Sequence, residues 1–532
     1  MKVGIIGSGG REHALCMSLK KSEKISKIYC IPGNAGTNFI AENIDLNLND
    51  FELIKNFIIK NNIELVLIGP EKPLVEGLAD YLENENINVF GPNKIASQLE
   101  GSKTFTKKLC EKYNIPTAKF GIFHNPSDGI NFIKKGKFPI VIKADGLAAG
   151  KGVYICENED QSIQAINEIF GGKFGEAKKI LIEEFLKGEE MSFFVISDGS
   201  SYQSFGTAQD HKRVSEGDKG KNTGGMGAYS PSRMENKELD KKILEKIINP
   251  TLNGLKELKT EFKGFLYAGL MIVNNEPYLI EYNVRMGDPE CQTILPRLKT
   301  DLGKIILACI NKKLDSINIE WFDQKSLCIV LCSKGYPDKY ENNREIKNLD
   351  KMKLNANEFI FHAGTKNIDK RIYSNGGRVL NFVVKSESFK KNRVKAIIIN
   401  YPNNPTTDVV NLDFYKELVN ICYKNQIWIL SDLAYAEIYF DIPPPPSILQ
   451  VKKAKHIAVE FTTMSKTFSM PGWRIGFACG NSTLISALSR IKSYLDYGAF
   501  TPIQVAATAA LNGPQDCINN IYFRLSIWSF ST

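Results

Sequence analysis

Glu281 and Asn283 stand two residues apart in the run LIEYNVRMGDPECQ, residues 279–292. On a strand, positions i and i+2 share a face, so the pair offers a carboxylate and an amide oxygen to one point in space. Two such oxygens suit Mg²⁺, which fills the rest of its octahedron with water and substrate phosphate. Arg285, Asp288 and Glu290 follow at once in a Gly-Asp-Pro turn. There a guanidinium can grip an anionic oxygen with two parallel bonds. An edge strand with a solvated charged turn has the same composition, so the chemistry depends on what the rest of the chain brings to these residues.

The chain before them reads as scaffolding for an anionic ligand. Val3–Ile6 is a short apolar strand running into Gly7-Ser8-Gly9-Gly10, and Glu12–Lys20 reads as the next helix, whose first backbone N–H groups can hold an anion. A dinucleotide fingerprint is not met, because Glu12 replaces its third glycine. Further strands at Ile28–Ile31, Leu65–Ile68 and Ile87–Phe90 end in PGNAGT, GPE and GP turns. In an open parallel sheet these turns share one edge, which is the ligand crevice. Tight turns alone would also account for the glycines.

A helix is expected from Lys103. It is followed by FPIVIKADGLAAGKG, a buried strand ending at Lys143 and a glycine loop carrying Lys151, whose backbone can approach phosphate. The loop is not a P-loop. ILIEEFLKGEEMSFFVISDG reads as two strands around a charged bend, with Glu183 and Glu190 seven residues apart. HKRVSEGDKGKNTGGMG, residues 211–227, is too polar to pack and reads either as a mobile loop that closes over substrate or as a disordered insertion.

Length and composition bound the rest. A chain of 532 residues has room for about three to four domains. It is 43% hydrophobic and 24% charged, with a formal charge of +9 spread thinly as lysine. That pattern argues for small anionic ligands and against nucleic acid. Eleven cysteines without a C-x-x-C, and no apolar run of about 18 residues, give the expectation of a reduced cytoplasmic protein without a membrane segment.

Taken together, GSGGREHAL, GPE at 69–71, KADGLAAGKG, IEEFLKGEEMSF, NTGGMGAYSP and EYNVRMGDPE resemble the phosphoribosylamine–glycine ligases, also called glycinamide ribonucleotide synthetases, of the ATP-grasp superfamily. The resemblance runs from residue 1 to about 390. It implies an α/β chain: an open parallel-sheet substrate domain at 1–102, an ATP-grasp α+β domain at 103–315 with its lid at about 120–190, and a truncated small C-terminal domain at 316–392. ATP would then be held by Lys103, Lys143, Lys151, Glu183, Leu186 and Glu190, with Glu183 and Leu186 at adenine and Glu190 at ribose. Mg²⁺ or Mn²⁺ would sit on Glu281 and Asn283, and Arg285 and Asp288 near the transferring phosphoryl group. Gly9, Gly10, Asn34, Gly36, Pro70 and Glu71 would meet substrate. The implied partners are glycine and 5-phosphoribosylamine, bound by a monomer.

From Ala396 the resemblance changes to the large domain of fold-type I, pyridoxal-phosphate-dependent aminotransferases, over about 395–517. Its carriers are AIIIN, YPNNPT, WILSDLAY and TTMSKTFSMPGWRIGF. By this resemblance Lys466 is the Schiff-base lysine, Asp432 the partner of the ring nitrogen, Asn404 and Tyr435 contacts to the ring oxygen, and Arg474 with Thr463 or Ser465 a phosphate contact. The family's first half is missing, and residues 518–532 match nothing expected. The expectation is a fusion whose second part is a vestigial, partial aminotransferase domain that carries pyridoxal phosphate only if it folds.

Overall fold

Apolar runs without alternation open the chain, and they become a sheet buried on both faces. The computed structural model describes residues 1–147, 152–173, 175, 178–215, 219–387, 395–439, 443–495 and 498–518. The chain forms two compact units, residues 1–392 and 393–532.

In the first unit, β1 (Lys2–Gly7), β2 (Lys27–Pro32), β3 (Glu42–Asn43), β4 (Leu65–Ile68) and β5 (Asn88–Phe90) make a parallel sheet in the order β3-β2-β1-β4-β5. All four residues of β4 are buried. Parallel pairing sets the carboxyl ends side by side, so the glycine turns share one edge as the sequence predicts.

Ser102 then caps the helix Lys103–Lys112 by accepting from the Phe105 N–H at 3.1 Å. This start places Lys103 and Lys107 four residues apart on one helix face. An antiparallel sheet follows, made of β6 (Phe120–Phe123), β7 (Ile140–Ala144), β8 (Val153–Cys156) and β9 (Ile180–Glu184) in the order β6-β9-β7-β8. The helices Pro126–Ile133 and Glu159–Phe170 cover it through Ile133, Ala165, Ile166 and Ile169.

The larger sheet is built from β10 (Glu189–Asp198), β11 (Tyr202–Asp210), β14 (Gly227–Ser230), β15 (Lys263–Val273) and β16 (Glu276–Asn283), with β12 (Arg213–Ser215) and β13 (Lys219–Asn222) forming a separate two-stranded sheet. After it come β17 (Lys325–Cys332), β18 (Glu345–Ile346), β19 (Glu358–His362), β20 (Thr365–Ile368), β21 (Arg371–Ser374) and β22 (Arg378–Ser386). The main sheet runs β16-β15-β10-β11-β14-β17-β22-β19. Within residues 316–392, β17, β22 and β19 extend this sheet, joined where β14 pairs with β17, while β18, β21 and β20 form a three-stranded sheet of their own.

The described residues of the segment 211–227 pair with one another. β12 and β13 pair, and the segment's base is a ladder in which His211 donates to the Gly227 carbonyl at 2.9 Å and Met226 to the His211 carbonyl at 2.8 Å. A polar glycine-rich run that packs little can still satisfy its backbone by pairing with itself.

The hairpin β15–β16 turns on Asn274 and Asn275, both left-handed at φ 50° and 66°. Asparagine tolerates that region, and a two-residue turn of this kind matches the twist of the flanking strands. Val273 therefore pairs with Glu276, and the register is set for the whole strand. A bulge between Gly269 and Leu270 leaves Ile280 extra, and Glu281 falls opposite Gly269.

The second unit holds β23 (Ala396–Asn400), β24 (Trp428–Asp432), β25 (Ala458–Thr463) and β26 (Gly476–Gly480), the first three parallel and the last antiparallel. Helix Leu412–Asn425 packs on it through Tyr415, Val419 and Cys422. Helix Ser482–Leu495 buries none of its described side chains, and Ile398 on β23 is 77% exposed. Among the described residues no helix is long and apolar enough to cross a membrane.

Candidate functional site

The amino-terminal helix of the first unit carries its own anion. Glu12 reaches back to the Gly9 N–H at 2.5 Å and accepts from Arg11 Nε at 2.6 Å. A Cβ on Gly69 would lie 2.1 Å from the Glu12 carboxylate, which fills the turn between β1 and β4. At Gly9 the helix N-terminus is thus satisfied by a protein carboxylate.

Three expected substrate contacts have other duties. Asn34 Nδ2 donates to the carbonyls of Ser8 (2.8 Å), Gly9 (3.2 Å) and His362 (2.9 Å), and its Oδ1 accepts from the N–H groups of Gly36 and Thr37. It is buried, and it fastens the glycine turn to β19. A Cβ on Gly36 would strike His13 and His362, and one on Gly10 would strike Asn381 and Gln292. Gly10, Asn34 and Gly36 do not line the central cavity, whereas Gly9, Pro70 and Glu71 do. Sequence could not separate the two sets, because all six lie in the turns of one sheet edge.

The central cavity is about 500 Å³, and Glu281 and Asn283 both face it. The two-residue turn and the bulge are what aim them. Gly269 leaves room opposite, since a Cβ there would be 3.3 Å from Glu281 Cγ. Burial alone would raise the Glu281 carboxyl, but Lys212, Lys143, Lys103 and Arg285 outweigh it and hold the group below its ordinary value. An ionised carboxylate beside an amide oxygen is the donor set of a hard cation.

Lys143, at the end of β7, is fixed by Glu183 at 2.9 Å, and Glu183 also pairs with Lys107 at 3.3 Å. All three side chains are buried. Glu183 thus anchors two ammonium groups. Burial lowers both Lys103 and Lys107 from the ordinary lysine value. Lys103 donates to the Gly146 carbonyl at 2.9 Å, tying the lysine to the start of the lid loop. Lys151 lies outside the described residues.

Arg285 is held between Glu100 at 2.7 Å and Glu71 at 3.2 Å. Its charge depresses the Glu71 carboxyl, whereas burial raises that of Glu100. Asp288 accepts from the Arg11 N–H (3.2 Å) and Gln292 Nε2 (2.8 Å), and faces Arg378 at 3.6 Å. Arg378, from β22, bonds the Asp288 and Gly224 carbonyls. Sequence reading did not name Arg378, Lys107, Lys212 or Glu100 as site residues, because only the fold brings them to the cavity.

A second, larger cavity of about 1150 Å³ opens beside the first under the lid. Val141, Val153, Ile155, Leu186, Met271 and Leu279 give it apolar walls, and Glu190 stands at its side. Lys143, Glu183, Lys212 and Ile280 line both cavities. A flat apolar slot leading to a cationic pocket has the chemistry of a nucleotide site.

The comparisons with known proteins agree with this geometry. The family profiles "Phosphoribosylglycinamide synthetase, N domain" and "Phosphoribosylglycinamide synthetase, ATP-grasp (A) domain" match residues 1–100 and 101–291. A phosphoribosylamine–glycine ligase of Brucella melitensis is 45% identical over 397 residues, covering 74% of this chain and 93% of the relative. The chain belongs to the phosphoribosylamine–glycine ligase family. A ligase of this name from Mesorhizobium japonicum is 47% identical over 382 residues, covering 72% of this chain and 90% of its own. The crystal structure of the Thermotoga maritima phosphoribosylamine–glycine ligase is 34% identical with a TM-score of 0.63, covering 74% of this chain and 94% of that one. The biotin carboxylase domain of a Hydrogenobacter thermophilus 2-oxoglutarate carboxylase, 18% identical with a TM-score of 0.56 over 73% of this chain and 87% of that one, shares the fold.

Beyond the ligase part, the profile "Aminotransferase class I and II" matches residues 361–525. Its first residues, through Ser386, lie in the first unit, where β19 and β22 belong to the large sheet and β20 and β21 to a three-stranded sheet with β18. In the second unit Asn404 Nδ2 donates to Tyr435 Oη at 3.1 Å, and Lys466 Nζ sits 5.2 Å from the Tyr435 ring. These three of the five expected cofactor residues come together. Asp432 ends β24 with its carbonyl bonded by Asn400, and Arg474 Nη1 donates to the Pro471 carbonyl at 3.3 Å. Lys466, Asp432 and Arg474 are all exposed.

Proposed function

We propose that the first unit is an ATP-dependent ligase that joins glycine to 5-phosphoribosylamine, giving glycinamide ribonucleotide, ADP and phosphate, in purine synthesis in the cytoplasm. The observation that carries this is Glu281 beside Asn283 in a cavity rimmed by Lys103, Lys143, Lys212, Arg285 and Arg378 and opening into the apolar slot. Adenine lies between Val141, Val153, Met271 and Leu279, against the Leu186 backbone, with ribose toward Glu190. Lys103 and Lys143 take phosphate oxygens, and Glu183 keeps Lys143 in place. Arg285 and Asp288 face the transferring group, while Gly9, Pro70 and Glu71 border the substrates.

Glu281 and Asn283 would hold Mg²⁺ or Mn²⁺, which supplies charge neutralisation at the phosphates when bound. A glycine carboxylate oxygen attacks the γ-phosphorus, and the bond from that phosphorus to ADP breaks. The amine of phosphoribosylamine then attacks the acyl carbon, phosphate leaves, and the nitrogen loses a proton. Positioning and cationic side chains meet the needs of phosphoryl transfer, without a nucleophilic serine or cysteine. The lid excludes water from the acyl phosphate. We propose that this part acts as a monomer on small molecules, with residues 1–102, 103–315 and 316–392 as its functional divisions.

Residues 395–517 keep Asn404, Tyr435 and Lys466 in mutual reach, a donor set that suits pyridoxal phosphate, which would supply an electron sink when bound. We assign them no transaminase turnover, because the lysine and the acidic partner stand open to water. ADP release from Mg²⁺-ATP by the full chain, compared with glycine plus phosphoribosylamine and with each alone, tests the ligase. Turnover that needs both supports it; release without either substrate, or none with both, rejects it.

A further inference from the structure

Lys212 is the cation whose place the ligase reading leaves unexplained. Its ammonium stands 3.4 Å from Glu190 Oε2 and 3.7 Å from Glu281 Oε1, bridging the carboxylate beside the ribose to the carboxylate of the metal pair. Both separations exceed hydrogen-bond length, so charge and not a fixed bond holds it. Lys143 and Lys103, by contrast, are each fastened at 2.9 Å. The Lys212 backbone is pinned, since its carbonyl accepts from the Thr223 N–H (2.7 Å) and Oγ1 (2.9 Å). A fixed root with a loosely held head lets the ammonium sweep the space shared by the two cavities.

We propose that Lys212 is a catalytic residue that neutralises Glu281 while the metal is away and moves onto the transferring phosphoryl oxygens when metal and nucleotide arrive. The proposal rests on the reading that Glu281 holds the metal. An ammonium and a divalent cation drawn to the same carboxylate repel one another, so metal binding at Glu281 weakens its hold on Lys212. The displaced head finds new negative charge on the nucleotide. As the bond from the γ-phosphorus to ADP breaks and the bond to the glycine carboxylate forms, Lys212 keeps its three protons and balances the charge spread over the phosphoryl oxygens. No proton passes through it.

The test compares the full chain with Lys212→Met and Lys212→Arg. Mn²⁺ is titrated without nucleotide and followed by electron paramagnetic resonance, with Glu281→Ala identifying the signal that belongs to this site. Removing the competing charge should tighten Mn²⁺ about tenfold in Lys212→Met, and the arginine variant should stay near the parent. ADP release with glycine and phosphoribosylamine together should show kcat down about 100-fold in Lys212→Met, with the KM for ATP little changed and partial rescue by arginine. Unchanged Mn²⁺ affinity in Lys212→Met overturns the proposal, as does a retained kcat. If the parent chain releases no ADP with both substrates, the ligase reading fails, and the Mn²⁺ comparison still decides whether Lys212 and metal compete.

Discussion

Lys143 lies near the end of strand β7 and Lys466 in the short helix Met464–Thr467 that follows β25, and their surroundings have little in common. Lys143 is buried, bonded to a carboxylate that a second lysine shares, and faces a cavity walled by three sheets' worth of side chains. Lys466 is exposed above a tyrosine ring, on a sheet whose outer strand leaves Ile398 77% open. A catalytic lysine needs a low-dielectric, fully partnered pocket to exert its charge, and that depends on neighbours far away in sequence. A motif such as S-K-x-F-x-x-P-G-W-R survives as letters without those neighbours. The difference teaches that motif strength and site completeness are separate quantities.

The sharpest way to break this contrast is to remove one residue from each site. Glu281→Ala should lower ligase turnover by about 10³-fold or more, while Lys466→Ala leaves ADP release unchanged. Equal losses would mean the second unit serves the first. Packing gives the next largest effect. Phe193, buried in the large sheet, should cost about 3–5 kcal/mol as alanine, measured by denaturant unfolding, and Ile398→Ala should fall within about 0.5 kcal/mol.

Acid sharpens the comparison further. Burial pushes the His13 imidazole down to about 3 and that of His362 to about 4, from an ordinary 6.5. His13 Nδ1 also accepts the His362 N–H at 2.9 Å. The unfolded chain therefore binds more protons, so this stability is complete above about pH 6.5 and is lost as pH falls toward 4. Thermal melts of the first unit should drop over that window by an amount on the order of a few kcal/mol, and His13→Gln should flatten the profile. In the second unit the sign reverses. Burial raises the Glu460 carboxyl, which accepts from Ser447 Oγ and the Ile448 N–H. Its contribution is present at low pH and fades as pH rises through the raised value. Glu460→Gln should remove this smallest effect, seen as a pH-independent melt.

Much of the first unit was legible. The strands at Val3–Ile6, Ile28–Ile31, Leu65–Ile68 and Ile140–Ile142 were readable because burial on both faces leaves unbroken apolar runs. Glu281 and Asn283 were readable because strand alternation is strict and local. What stayed hidden was tertiary: Lys107 and Lys212 gain meaning only from Glu183, Glu190 and Glu281 across the cavity, and Arg378 only from Asp288. Asn34 and Gly36 sat in the right turn, but sequence cannot tell a residue that touches the ligand from one that braces the turn. The run at 211–227 looked featureless because its order lies in backbone pairing, which leaves no side-chain pattern.

The Asn274–Asn275 turn gives the metal strand an uneven tolerance to genetic change. Point substitutions that accept a left-handed backbone can accumulate there without consequence, so the two letters are free to drift. A single-codon insertion or deletion is another matter. It would slide Glu276–Asn283 by one place and turn Glu281 and Asn283 into the core, erasing the site while leaving every functional residue in the gene. Lineages of this enzyme should therefore conserve the length of that hairpin more strictly than its spelling.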